Sequence, residues 1–249
     1  MQNIRLSEIS TRAPEGFDKK ETKEKNDLVL EELDELQNLL YAESKHSVLV
    51  VLQGMDASGK DGVIRNVFGS LNPQGIHVHS FKVPTEEELS HDFLWRIHKS
   101  APAKGVIGIF NRSHYEDILV TRVHKWCDDE LAHKRMQAIN DFEHLLQVHN
   151  NTTILKFYLH VSVEEQQERL QERINDPRKQ WKYNEKDHAE AKLRDEYIRM
   201  YEDCFKECNK VPWTIVPADQ NWYKEHLIAS AVRDALVALK MEYPKLKNK

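Results

Sequence analysis

Short apolar segments alternate with longer amphipathic ones along most of this chain. Five segments rich in Val, Ile, Leu and Phe predict strands, at 47–53, 77–83, 105–110, 153–160 and 213–217. Apolar residues at helical spacing predict helices at 60–70, 86–99, 113–124, 129–149, 163–175, 186–209 and 221–241. This alternation is typical of a parallel sheet with helices on both faces. We therefore predict a three-layer α/β/α fold, whose ligands bind at the carboxyl ends of the strands.

The N-terminal region has a different pattern. Residues 1–20 predict an irregular arm, and 21–43 predict one amphipathic helix. The apolar positions of that helix are Leu28, Leu33, Leu36, Leu39 and Leu40. No Pro-, Gly- or Ser-rich linker divides the chain, so we expect a single domain over 1–249, with an arm and helix at 1–45 and an α/β core at 46–241.

The strongest chemical signal follows the first predicted strand. Gly54, Gly59 and Lys60 form the pattern G-x-x-x-x-G-K directly after an apolar run. Glycines let backbone N–H groups converge on phosphate oxygens, while the next helix and the lysine add positive charge. The sequence therefore predicts a phosphate-binding loop and helix start. Its candidate residues are Gly54, Asp56, Ala57, Ser58, Gly59, Lys60, Asp61 and Gly62.

The residue after the loop lysine departs from the usual motif. That position commonly carries a Ser or Thr whose hydroxyl binds Mg²⁺, but here it is Asp61. The metal then needs another ligand, and Asp56 inside the loop is a carboxylate that a cation would stabilise beside phosphate. Either aspartate could instead cap the helix. We favour capping for Asp61 and metal binding for Asp56.

A second polar segment, residues 111–117, follows the third predicted strand and should emerge at the same edge of the sheet. Arg112 can clamp phosphate oxygens with two parallel hydrogen bonds. Glu116 and Asp117 either favour the start of a helix through its dipole or bind Mg²⁺, and we favour metal or catalytic duty for Asp117. Lys82 closes the second strand and could face the same phosphates.

A third basic segment lies near residues 169–186, where Pro177 separates two predicted helices. Its cations include Arg169, Arg173, Arg178, Lys179 and Lys182. Because glutamates and aspartates are interspersed, the segment could be an ordinary solvated surface. We favour a lid over 173–186 that closes on a polyanion and excludes water from a transferable phosphoryl group.

Composition limits the function classes. The chain has 249 residues, a formal net charge of −5 and three cysteines without metal-ligand or disulfide spacing. The net charge argues against a general nucleic-acid binder, but a local basic site can still bind an anion. No apolar run approaches the length of a membrane span, and we expect a cytoplasmic protein without a membrane partner.

Together these three segments resemble those of the polyphosphate kinase 2 family. The strings D-A-S-G-K-D-G, F-N-R-S-H-Y-E-D and D-P-R-K-Q-W-K occur at 56–62, 110–117 and 176–182, and order and spacing match over about 25–240. The resemblance implies a thymidylate-kinase-like P-loop kinase fold and Mg²⁺-dependent phosphoryl transfer between inorganic polyphosphate and nucleotides. It also implies a homo-oligomer. Adenine nucleotides are the expected acceptors, with guanine nucleotides as an open option.

The resemblance also assigns roles to residues. It gives phosphate-binding or transition-state roles to Lys60, Arg112, Arg173, Arg178, Lys179 and Lys182. Asp56 and Asp117 become metal ligands, and Glu116 a candidate for acceptor selection. Asn111 stands where many relatives carry Asp, a form that resembles the subgroup accepting both AMP and ADP.

Other functions use a similar scaffold. An ATP-dependent nucleotide or small-molecule kinase would need an adenine pocket for its donor. A GTPase-like switch is disfavoured because the chain lacks an N-K-x-D guanine signature. A module that only stores polyphosphate would leave Asp56 and Asp117 without a metal to hold.

Overall fold

The computed structural model describes residues 4–246, apart from the side chain of His188, and within that range five strands form one parallel sheet. The strands are β1 (Ser47–Gly54), β2 (Ile76–Ser80), β3 (Ile107–Asn111), β4 (Thr152–His160) and β5 (Trp213–Pro217). Their order in the sheet is β2-β3-β1-β4-β5, and every neighbouring pair is parallel. The predicted parallel α/β class is confirmed.

Helices connect the strands and flank the sheet. In the described part of the chain they are α1 (Lys19–Glu43), α2 (Lys60–Phe68), α3 (Glu86–Leu89), α4 (Trp95–Ser100), α5 (Glu116–Val123), α6 (Asp129–Asn150), α7 (Val163–Asn175), α8 (Glu185–Ala191), α9 (Arg194–Glu207) and α10 (Asn221–Ala238). No helix within residues 4–246 combines the length and the apolar character that a bilayer crossing requires.

Two predicted helices are each divided in the structure, and a third begins late. The segment 86–99 forms α3 and α4, because the Asp92 side chain accepts the N–H of Leu94 in a turn between them. The segment 186–209 forms α8 and α9. Helix α5 begins at Glu116 rather than 113, because the residues just before it form a turn in which the Glu116 N–H donates to the Ser113 carbonyl at 3.0 Å.

The central strand explains why the sheet is stable. Residues Val48–Leu52 of β1 are fully buried, as expected for a parallel strand covered on both faces. From residue 4 to 18 the N-terminal arm is irregular apart from a short 3₁₀ turn at Leu6–Glu8, and this part packs against the rest of the protein. Leu6 is buried and its N–H donates to Glu202 Oε1 at 2.8 Å.

The sheet order places the chemistry. Strand β1 pairs with both β3 and β4, so the segments that leave the carboxyl ends of β1 and β3 are neighbours. The Arg112 N–H extends this pairing by donating to the Leu52 carbonyl at 3.1 Å. The first two polar segments therefore leave the sheet side by side.

Candidate phosphoryl-transfer site

The loop between β1 and α2 has the backbone shape that its glycines predict. Gly54 and Gly59 have φ values of 150° and 98°, where a side chain would be strained. A Cβ at Gly54 would approach the Leu159 carbonyl oxygen to 2.9 Å. Ala57 also has a positive φ of 61°, an unfavourable conformation for a residue with a Cβ. The loop is thus a tight, specified structure rather than a flexible connection.

Lys60 begins α2 and folds back over this loop. Its Nζ donates to the carbonyls of Gly54 at 2.8 Å and Met55 at 3.2 Å. Burial, followed by the positive charge of Arg112, lowers the pKa of Lys60 to about 8. The ammonium is therefore desolvated at the place where an anion would stabilise its charge.

Arg112 joins the first two segments. Its Nη2 donates to Asp56 Oδ1 at 2.6 Å, and its Nη1 donates to Glu116 Oε2 at 3.2 Å. The charge of Glu116 and then that of Asp56 outweigh burial and raise the pKa of the guanidinium further. Asp56, Arg112 and Glu116 thus form one charged cluster beside the loop.

Asp117 contacts different residues from its neighbour Glu116. Its Oδ2 lies 3.6 Å from an Nη of Arg96, and among the described residues this buried oxygen has no hydrogen-bond partner. Burial raises the pKa of Asp117, although Arg96 and Arg135 oppose the shift. The side chain of Lys82 is exposed, and its backbone carbonyl accepts a hydrogen bond from Arg96 Nη1 at 2.9 Å.

Asp61 connects the phosphate loop to the basic segment. Its Oδ1 accepts from Asn111 Nδ2 at 2.9 Å, and its Oδ2 accepts from Lys182 Nζ at 2.8 Å. Burial would raise the pKa of Asp61, but these two hydrogen bonds lower it. Lys182 therefore contacts the first turn of α2.

The other cations of the predicted lid segment are held by carboxylates. This segment connects α7 to α8, and its Arg173 pairs with Asp187 of α8 at 2.6 Å. Arg178 pairs with Asp176 at 3.1 Å while its side chain stays 89% exposed, and Lys179 pairs with Glu172. The structure thus brings Lys182 to the loop and leaves Arg178 facing solvent.

A pocket lies beside the charged cluster, between α5 and the helices α8 and α9. Its apolar wall includes Leu119 and Val120, and two tyrosines, Tyr197 and Tyr201, line it as well. Its polar lining comes from Asp56, Arg112, Glu116, Gln166, Glu190 and Arg194. The pocket mixes apolar and hydrogen-bonding surface, which suits a small polar ligand.

Sequence reasoning missed three polar residues of this pocket and also Lys224 of α10. Gln166, Glu190, Arg194 and Lys224 lie on helices among many other charged residues, where each reads as an ordinary surface position. For Lys224 a signal existed, because it is flanked along α10 by Tyr223 and, four residues on, by Ile228, both buried. Such a register could have marked it as facing inward.

The acidic residues suit a cation shared with phosphate. Within residues 4–246 no three His, Cys, Asp or Glu side chains are grouped as a protein-only metal site. Mg²⁺ in phosphoryl-transfer sites is usually held by one or two carboxylates together with substrate phosphates and water. The loop carboxylate of Asp56 fits that smaller donor set. Asp117 Oδ2, which has Arg96 at ion-pair distance but no hydrogen bond within the described residues, is the second candidate ligand.

Comparison with known proteins identifies the family to which this chain belongs. The model of the polyphosphate kinase 2 family matches residues 16–246. The chain belongs to this family. It is a phosphotransferase enzyme, as the resemblance of the three sequence segments to this family implies.

Relatives within the polyphosphate kinase 2 family are similar over most of their length. An AMP/ADP-polyphosphate phosphotransferase from Meiothermus ruber is 49% identical over 214 residues, covering 85% of this chain and 80% of its own. An ADP-polyphosphate phosphotransferase from Rhodopseudomonas palustris is 42% identical, with 86% and 79% covered. The crystal structure of polyphosphate kinase 2 from Arthrobacter aurescens superposes with a TM-score of 0.95 at 39% identity, covering all of this chain and 90% of that one.

Proposed function

We propose that this chain transfers phosphoryl groups reversibly between inorganic polyphosphate and adenine nucleotides, with Mg²⁺. In the forward direction it converts AMP to ADP and ADP to ATP. The observation that carries the proposal is the bridge made by Arg112 between Asp56 of the phosphate loop and Glu116 of the adjoining pocket. Similarity to the Meiothermus ruber AMP/ADP-polyphosphate phosphotransferase supports the choice of substrates. We further propose a cytoplasmic homo-oligomer.

Polyphosphate is proposed to lie along the phosphate loop and beneath the lid. The loop offers backbone N–H groups, the positive end of α2 and the buried ammonium of Lys60. Lys182 already reaches the same edge through Asp61. Arg173, Arg178 and Lys179 are available to a longer polyanion, which would compete with the carboxylates that now pair with them.

The acceptor nucleotide is proposed to occupy the pocket between α5 and α9. Its tyrosine and aliphatic lining suits a nucleoside, which would enter once α8 and α9 move away from α5, because the pocket now holds only about 30 Å³. Arg112 at one side would meet the acceptor phosphate. Glu116 holds the other edge of that guanidinium and can therefore influence which acceptor phosphate fits. The proposal places the donor and acceptor phosphates on either side of Arg112.

The chemistry then needs alignment rather than a protein nucleophile. An acceptor phosphate is already anionic at neutral pH, so a general base is unnecessary. Lys60 and Arg112 would orient the two anionic chains and neutralise charge on the migrating group. Asp56 and Asp117 are the residues that would hold Mg²⁺, which when bound neutralises charge on the phosphates that it contacts.

The test is a transfer assay with purified protein, Mg²⁺, long-chain polyphosphate, and AMP or ADP as acceptor. We expect ADP and ATP to form, and Lys60→Ala to abolish transfer with the fold intact. Lys210→Ala serves as a control, since Lys210 is an exposed lysine paired only with Asp141. Turnover with ATP as the donor, but not with polyphosphate, would establish the ATP-dependent kinase instead.

A further inference from the structure

The carbonyl groups of the phosphate loop are held from outside the loop by side chains. Gln166 Nε2 donates to the Asp56 carbonyl at 3.0 Å. Arg169 Nη1 donates to the carbonyls of Ala57 and Ser58, both at 3.1 Å. Because Gln166 and Arg169 both belong to α7, one helix fixes three consecutive peptide groups of the loop.

A buried lysine completes this set of contacts. Lys224 is 0% exposed, and its Nζ donates to the Ser58 carbonyl at 3.3 Å and to Asn221 Oδ1 at 2.8 Å. A Cβ at Gly59 would collide with this Nζ, so the lysine lies directly against the loop. Burying an amine is costly unless its hydrogen bonds serve the structure or its function.

The contacts of Lys224 do not depend on its charge. Burial, and then the charge of Arg169, lower the pKa of Lys224 to about 7. A neutral amine keeps two N–H groups, which is the number that the Ser58 carbonyl and Asn221 require. Arg169 also donates to the carbonyl of Ala218 at 2.8 Å, which anchors it to the end of β5.

Holding the carbonyls outward directs the N–H groups inward. In a trans peptide the C=O and the following N–H point in opposite directions. Anchoring the carbonyls of Asp56 and Ser58 therefore turns the N–H groups of Ala57 and Gly59 away from Gln166, Arg169 and Lys224, toward the side on which an anion binds.

We propose that Arg169 and Lys224 are positioning residues that hold the phosphate loop in its anion-binding conformation. Arg169 also ties the base of the lid to the loop, because Arg173, the first residue of the lid, follows one turn later on α7. The inference rests on the proposed function only in taking polyphosphate as the anion. Neither residue is required to touch the substrate.

The experiment compares Lys224→Met, which removes the donor, with Lys224→Gln, which keeps an amide donor on a shorter side chain. Isothermal titration with tripolyphosphate and with AMP is combined with steady-state kinetics. We expect Lys224→Met to weaken tripolyphosphate binding about tenfold and Lys224→Gln to recover part of that loss, since the Ser58 carbonyl then keeps only its hydrogen bond from Arg169. The KM for AMP should change less than about twofold, because the acceptor pocket is untouched.

Arg169→Lys is a second variant, which keeps the charge but loses the forked contacts, and Lys210→Met is the surface control. Arg169→Lys should also raise the KM for polyphosphate selectively, and it decides the question if Lys224→Met does not fold. Equal loss of tripolyphosphate and AMP binding, or unchanged binding in folded variants, would overturn the inference. Failure of the wild type to bind tripolyphosphate would instead reject the proposed donor, and Mg-ATP would then probe the loop in the same variants.

Discussion

Lys60 illustrates how one residue makes the proposed activity depend on pH. Burial and the nearby charge of Arg112 lower its pKa to about 8, while the carboxylates of Asp56, Glu116 and Asp61 act in the opposite direction. The ammonium is present below that pKa and is lost as pH rises through it. We expect kcat/KM for polyphosphate to fall as pH rises through about 8, because this ratio reports groups of the free enzyme.

The cause of this fall in kcat/KM with rising pH can be tested by changing Arg112. Arg112→Gln removes the neighbouring positive charge, so the pKa of Lys60 should rise and the midpoint for tripolyphosphate binding should move to higher pH. Binding of tripolyphosphate measured between pH 6 and about 10 gives both midpoints without requiring turnover. A midpoint that moves to lower pH, or that is absent from the wild type, would contradict this account.

Asp56 is the residue to change in order to test metal binding. Asp56→Asn removes a charged oxygen ligand at the mouth of the loop, so the Mg²⁺ concentration for half-maximal activity should rise about tenfold. Asp61→Asn, in the first turn of α2, is a matched control, because its carboxylate is engaged by Asn111 and Lys182 instead. An equal Mg²⁺ requirement in Asp56→Asn and in the wild type would remove Asp56 as a ligand.

At the scale of elements, the strands were the most predictable part. Each is a short run of β-branched or aromatic residues, and the five predicted segments overlap the five observed strands, with ends that differ by up to three residues. The break between α3 and α4 depends on a local turn at Asp92, and the late start of α5 depends on a turn that joins Ser113 to Glu116. Helical periodicity does not encode either feature.

The residues of the candidate site also differ in how well the sequence predicts their positions. Lys60 and Arg112 belong to contiguous motifs at the ends of strands, so their positions could be predicted from chain order. In the sequence, Arg169 is one member of a basic run, and Lys224 belongs to no motif. Their contacts with the loop depend on how α7 and α10 pack against it, which local sequence does not specify.

The lid offers a prediction at this scale. Replacing residues 176–184 by a Gly-Ser linker should leave tripolyphosphate bound to the loop, but should raise release of free phosphate relative to nucleotide formation. The reason is that water gains access to the transferable group. The measurement is the ratio of free phosphate to nucleotide product.

Lys182→Ala serves as a graded control for the lid. It removes a partly exposed pair with Asp61, and such pairs contribute little, so the product ratio should change less than about fivefold. An unchanged product ratio in the linker variant would show that the segment does not exclude water.

At the scale of the whole molecule, a buried ionic network links the sheet to the second motif. Lys156 of β4 donates to Glu143 of α6 at 2.9 Å, and both side chains are 0% exposed. Tyr115, in the turn after β3, donates to Glu143 at 2.7 Å and accepts from Lys156 at 2.8 Å. His114 lies 3.4 Å from the same carboxylate. The turn that carries Arg112 and Glu116 is therefore anchored to the buried core through His114 and Tyr115.

Glu143 gives this network a pH dependence. Burial alone would raise the pKa of Glu143, but hydrogen bonds from His114 and Lys156 and their charges lower it below the ordinary value. A carboxylate with a lowered pKa in the folded state stabilises the fold above its unfolded pKa. That contribution is lost as pH falls through the folded value.

Removing one member of the network should therefore be costly. Lys156→Met leaves a buried carboxylate without its cation, and we expect unfolding free energy to drop by about 3–5 kcal/mol in urea titrations at neutral pH. Adding Glu143→Gln to that variant removes the uncompensated charge while keeping an acceptor for Tyr115, so more than half of the loss should return. Lys134→Met breaks only an exposed pair with Glu130 and should cost less than about 1 kcal/mol. A loss in Lys156→Met no larger than in Lys134→Met would mean that the network does not stabilise the fold.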